Sequence, residues 1–146
     1  MLDKVKIAID AMGGEGSPNK IIDGIEISLK KNKENFFYLY GDRNLLKNEL
    51  ASTNLVSQYS EIINTTDIIL DNESPLAAAK KGAESSMWRA IESQKDHQTD
   101  ISLSAGNTGA LLVISRLILK TIDGISKPAL AGLWPNDKSM NIVLDL

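Results

Sequence analysis

Two short segments of this chain carry residue types that suit the binding of an anion. One is Ser104-Ala105-Gly106-Asn107-Thr108-Gly109-Ala110, with two glycines, three side chains able to hydrogen-bond and an apolar run directly after it. Glycines let backbone N–H groups approach a phosphate closely, and a helix start adds unpaired donors at the positive end of its dipole. No cationic side chain is needed for that chemistry. The plain structural reading of the same residues is Asn107 as a helix cap, with Gly106 relaxing the turn. The other segment is Asp10-Ala11-Met12-Gly13-Gly14-Glu15-Gly16-Ser17-Pro18. It is not a Walker loop, since no Gly-Lys-Ser/Thr follows. It is not the dinucleotide fingerprint either, because Asn19 stands where the third glycine belongs. A tight strand-to-helix turn and a ligand loop both remain open for it.

Other candidates are weaker. Ser85 and Ser86 precede the apolar Met87-Trp88, which is the usual setting of helix caps. Lys80 and Lys81 lie just upstream, as anion contacts or as solvated surface. Asp10 closes an apolar strand and faces the presumed site, where it orients loop donors rather than acting as a base. The single histidine, His97, sits in the polar run Lys95-Asp96-His97-Gln98 and reads as a loop residue. The chain has no cysteine, which excludes disulfides, thiolate nucleophiles and Cys-ligated metals. With one histidine there is no multi-histidine metal site, and neither a metal nor a cofactor is expected.

The elements that must position these residues follow from periodicity. Val5 to Asp10 and Phe36 to Tyr40 read as strands, Glu61 to Asn64 as a weaker one, and Asp100 to Ser104 as a fourth. Ile21, Ile22, Ile25 and Leu29 recur at helical spacing behind Ser17 as N-cap and Pro18 at the first helical position. Leu45, Leu46 and Leu50 suggest a short second helix. Leu76 to Ala79 and Met87 to Gln94 are further helical runs. A long apolar helix is expected from about Thr108 to Thr121, closed by Gly124 and buried all round. Ala129 to Leu133 and Asn141 to Leu146 are two further strand candidates. Strands alternating with helices imply an α/β fold of three layers, αβα, around a mostly parallel sheet. Ligands of such sheets bind at the carboxyl ends of the strands, where both glycine segments fall. The last strand candidate runs to the final residue, which suggests an incomplete domain.

The 146 residues suit one domain. Apolar residues make up 42% and charged residues 24%, a globular composition. A net charge of −3 argues against nucleic acid as a partner. The most apolar stretch, Ala110 to Leu119, is ten residues long and contains Arg116. A spanning helix needs about 20. A cytoplasmic protein is the default reading, with peripheral membrane contact still open.

Taken together, these residues resemble the N-terminal half of the bacterial phosphate acyltransferases of phospholipid synthesis, the PlsX family. The resemblance is carried by Ile9-Asp10-Ala11-Met12-Gly13-Gly14 with Pro18, by Tyr40-Gly41-Asp42, by Ser85-Ser86-Met87 and by the whole segment Ser104 to Ala110. Lys127-Pro128-Ala129, Trp134-Pro135 and Val143-Leu144-Asp145 complete it. The sequence departs from the family's pattern at Glu15, usually Asp, and at Lys80, Lys81 and Lys127, usually Arg. A lysine does not reproduce the bidentate grip of arginine.

The resemblance implies an isocitrate/isopropylmalate dehydrogenase-like fold and a homodimer, with residues 1–146 forming the N-terminal part of one acyltransferase domain. It implies transfer of a fatty acyl group from acyl carrier protein to inorganic phosphate, giving an acyl phosphate that feeds a membrane acyltransferase. Ser104, Asn107 and Thr108 are then the catalytic candidates. Asp10, Gly13, Gly14, Ser85, Ser86, Gly106, Gly109, Lys80 and Lys81 are the substrate-binding ones. Ser104 or Ser85 as a nucleophile is an alternative, although the sequence places no base beside either. A noncatalytic phosphate- or nucleotide-binding half-domain and a short-chain acyl-coenzyme A phosphate acyltransferase are the competing functions.

Overall fold

A computed structural model describes residues 4–144 of the chain, apart from the side chain of Lys81. Its elements are β1 (Val5–Asp10), α1 (Asn19–Lys31), β2 (Asn35–Gly41), α2 (Arg43–Leu50), α3 (Asn54–Gln58), β3 (Ser60–Asn64), α4 (Pro75–Lys81), α5 (Ser86–Lys95), β4 (Ile101–Ser104), α6 (Thr108–Leu119), β5 (Ala131–Pro135) and β6 (Met140–Leu144). A 3-10 turn at Gly82–Glu84 links α4 to α5. The expected strand–helix alternation therefore holds, with α3 as an addition.

Four strands form one parallel sheet in the order β3-β2-β1-β4. The strand β1 lies between β2 and β4, and its last residue, Asp10, pairs with Tyr40 on one side and Ser104 on the other. The period-2 alternation of β1 sorts its side chains between two faces. Ile7 and Ile9 pack with Phe37 and Leu39 of β2 against Ile22, Ile25 and Leu29 of α1, Leu46 of α2 and Val56 of α3. Ala8 and Tyr40 point the other way, against Ala90 of α5. Helices thus cover both faces, giving three layers. Burying each large aliphatic side chain of this core is worth roughly 1.5–3 kcal/mol.

A second apolar cluster joins the helices α4, α5 and α6 through Ala78, Met87, Ile91, Ala110, Ile114 and Ile118. The helix α6 corrects an expectation. Only Ala110, Ile114 and Ile118 are buried, at helical spacing on one face, whereas Leu117 and Leu119 are exposed. Its apolar residues exceed what α4 and α5 cover. It also ends earlier than Thr121, because Lys120 leaves the helix at φ +67°.

The start of α1 brings a second correction. Pro18, rather than Ser17, occupies the cap position, and no side chain caps the helix. The loop folds back on itself, so the Ser17 hydroxyl donates to the Gly13 carbonyl at 2.6 Å. The cap of α2 is conventional: Asp42 accepts from the N–H groups of Asn44 and Leu45 at 2.8 and 2.9 Å.

The strands β5 and β6 pair antiparallel with each other and form a separate two-stranded sheet. Asn136 closes their turn by accepting from the N–H groups of Lys138 and Ser139. Asp145 and Leu146, the end of the last strand candidate, lie outside the described residues.

Candidate phosphate site

The two glycine segments follow adjacent strands, β1 and β4, so the sheet itself brings them side by side. They meet at Gly14 and Ala105. Gly14 has φ +89°, and a Cβ there would stand 2.5 Å from the Ala105 carbonyl oxygen. Only glycine meets both conditions without strain. One step away, Gly106 passes over Gly13 with no side chain on either residue.

Beneath this seam lies Asp10, only 2% exposed. Its Oδ1 accepts from the Ser86 hydroxyl at 2.5 Å and from the Met12 N–H at 3.3 Å. Its Oδ2 accepts from the Ser104 hydroxyl at 2.7 Å. Ser104 Oγ in turn accepts from the Gly106 N–H at 3.1 Å. Burial pushes the Asp10 carboxyl above the ordinary aspartate value, while the Ser86 and Ser104 hydroxyls and the N–H groups of Met12 and Gly13 pull the other way. Asp10 thus lies buried below the loops, with its carboxylate turned to hydroxyl and amide donors. Ser104 does have a carboxylate beside it, which the sequence alone did not place there.

Asn107 caps α6, with Oδ1 accepting from the Ala110 N–H at 3.0 Å. Its amide nitrogen is shared among the carbonyls of Leu70, Asp71 and Glu73, at 3.3, 3.2 and 2.8 Å. The side chain therefore fastens the loop before α4 to the start of α6. The first amides of the helix to find acceptors are Ala110, on the Asn107 side chain, and Leu111, on the Asn107 carbonyl. The N–H groups of Thr108 and Gly109 precede them and have no acceptor among the described residues. The Thr108 side chain is exposed. Two unpaired amides at a helix start, with an exposed hydroxyl beside them, are donors that an anion can accept from.

The structure gathers Asp10, Gly13, Gly14, Ser86, Ser104 and Gly106 into one contact set, adjoined by Asn107, Thr108 and Gly109. Ser85 stands apart. It is buried, caps α5 through the Trp88 N–H and donates its hydrogen to the Gly82 carbonyl at 2.7 Å. Ser86 is also buried, and its hydrogen is committed to Asp10. Lys80 is exposed near the end of α4, five residues beyond Pro75, or about 7.5 Å along the axis. The side chain of Lys81 lies outside the described part. His97 is exposed in its loop, at φ +56°.

One residue was missed from sequence. Lys20, in the first turn of α1, lays its side chain over Gly16. Among the described residues it is the one charged residue lining an open, apolar groove of about 350 Å³ that adjoins Ser104 and Ala105. Its place in the first turn after a glycine loop was the available signal. Among the described residues, no group of three or more His, Cys, Asp and Glu side chains gathers to hold a metal ion. None of the helices described is long and apolar enough to cross a membrane.

Comparison with known proteins bears on this arrangement. The family described as "Fatty acid synthesis protein" matches residues 5–146. A phosphate acyltransferase of Pelagibacter ubique is 52% identical over 142 residues, covering 97% of this chain and 42% of that protein. A phosphate acyltransferase of Rhodopseudomonas palustris is 41% identical over 147 residues, covering 100% of this chain and 42% of its own length. One from Bradyrhizobium diazoefficiens is 42% identical with the same coverage. The chain therefore spans about two fifths of the length of these relatives.

Proposed function

This chain belongs to the fatty acid synthesis protein family, and we propose that it carries the phosphate-binding part of an enzyme that transfers a fatty acyl group from acyl carrier protein to inorganic phosphate. The observation that carries the reading is the pair of unpaired amides, Thr108 and Gly109, beside a seam of two glycine loops. The names of the curated relatives, phosphate acyltransferases, agree with it.

In this reading a phosphate oxygen attacks the thioester carbonyl carbon. A C–O bond forms and the carbonyl oxygen takes up negative charge. The intermediate collapses, the C–S bond breaks and the thiolate leaves, taking a proton from solvent. Phosphate is already anionic at neutral pH, so no strong base is required. The protein's task is to hold phosphate next to the carbonyl, an effect worth up to about 7–11 kcal/mol when alignment is ideal. A donor to the developing oxyanion adds roughly 3–4 kcal/mol. No acyl-enzyme is needed, and the chain has no cysteine to form one. The reading includes a homodimer, a cytoplasmic location and loose contact with the inner face of the cell membrane.

The test is thiol release from a long-chain acyl carrier protein thioester. Because the chain lacks cysteine, all new thiol comes from the carrier. Release that depends on phosphate is the expected result. Equal release without phosphate means hydrolysis and sinks the reading. Faster release from acetyl- or butyryl-coenzyme A points to a short-chain enzyme instead. The competing reading is a phosphate-binding half-domain without activity of its own. Phosphate binding without thiol release would identify it.

A further inference from the structure

We propose that Asp10 is a positioning residue: acting through the Ser104 hydroxyl, it fixes Gly106 and so seats the loop that carries the Thr108 and Gly109 amides. This rests on the phosphate reading above and deepens it, by dividing the gathered residues into those that meet the ligand and those that hold them in place.

At 2% exposure Asp10 has no oxygen to offer a ligand. Each of its side-chain contacts is a donor pointed at the carboxylate: Ser86, Met12 and Ser104. The single hydrogen of Ser104 is committed to Asp10, and the Gly106 N–H is committed to Ser104. Neither is left for phosphate. The bonds form a chain in which each donor polarises the next, Gly106 N–H to Ser104 O–H to carboxylate. Ser86 adds a second arm, so one carboxylate ties together the end of β1, the end of β4 and the start of α5. Crowding reinforces the arrangement, since a Cβ on Gly13 would stand 2.9 Å from Ser104 Oγ. The groups that face Asp10 from β4, from α5 and from its own loop are hydroxyls and N–H groups. Among the described residues, no charged side chain contributes to its ionisation.

Amide NMR spectra of the chain, with inorganic phosphate as the probe, test this. Without phosphate, the Gly106 amide should follow an acid titration that vanishes in Asp10→Asn. With phosphate, the Thr108 and Gly109 amides should shift in the unmodified chain. Asp10→Asn and Ser104→Ala should each weaken phosphate binding about tenfold or more, and the double variant should lose little beyond either single one. Unchanged phosphate affinity in an Asp10→Asn variant with a native spectrum overturns the proposal. So does a Gly106 amide that ignores the titration. A chain whose amides ignore phosphate overturns the phosphate reading instead, and the Gly106 titration then decides separately whether Asp10 holds the loop. Should Asp10→Asn not fold, Ser104→Ala carries the same comparison, because it leaves the carboxylate its Ser86 and Met12 donors.

Discussion

Gly106 crosses Gly13 so closely that a Cβ on Gly106 would lie 3.1 Å from the Gly13 Cα. Two loops separated by about ninety residues therefore touch backbone to backbone. The contact is possible because β1 and β4 are neighbours in the sheet and both loops leave from their carboxyl ends. The candidate site is a property of that seam more than of any one side chain.

The seam makes a sharp prediction for Gly14→Ala. The new methyl meets the Ala105 carbonyl at 2.5 Å while the backbone is held at φ +89°. Positive φ alone costs of order 1–3 kcal/mol, so the expected loss of stability is at least that. Chemical denaturation measures it. Gly24→Ala, where a Cβ would meet nothing within 4 Å, is the control, and as a helix position it should gain up to about 1 kcal/mol.

Asn107→Ala removes a helix cap, which typically costs about 1 kcal/mol. It also releases the carbonyls of Leu70, Asp71 and Glu73 together. The total loss should reach about 2–3 kcal/mol. Hydrogen exchange should show faster opening of residues 70–74 and of the start of α6, with the core amides of β1 and β2 unaffected. Uniform acceleration across the sheet would mean that Asn107 supports the fold as a whole rather than this junction.

Asp10 predicts a pH dependence with a definite sign. Its carboxyl is raised by burial above the ordinary value of 3.8. In the window just above that value the folded chain holds more protons than the unfolded one. Stability from this group is therefore complete at low pH and declines as pH rises through the window, by up to about 1.4 kcal/mol per pH unit. Surface carboxylates overlay their own dependence, so the quantity to measure is the difference between the unmodified chain and Asp10→Asn. That difference should fall with rising pH and then level off. A difference that grows with pH would mean the hydroxyl and amide donors outweigh burial.

Much of the architecture was legible from periodicity. β1 and β2 declared themselves as β-branched and aromatic runs, and α1 by Ile22, Ile25 and Leu29. The helix α3 did not, because five residues, Asn54–Gln58, give too few turns for a pattern to show. The apolar run of α6 overstated its burial, since composition cannot say how many neighbours a helix will have. In the site, both glycine segments were visible as spacing. The links from Asp10 to Ser86 and Ser104 were not, because they span 76 and 94 residues and exist only once the strands are ordered. The cap expected of Ser17 failed for a related reason: its hydroxyl turned back to Gly13 when the loop closed.

Among the described residues, the order β3-β2-β1-β4 leaves β4 with one side unpaired, and nothing described blunts that edge. Ile101 and Leu103 are both exposed on it, with neither lysine nor proline among its four residues. Such an edge is a template onto which another extended segment adds by hydrogen bonding. In concentrated solution the chain is therefore prone to strand-to-strand self-association starting at β4, and charged substitutions at Ile101 or Leu103 are the places to raise its solubility.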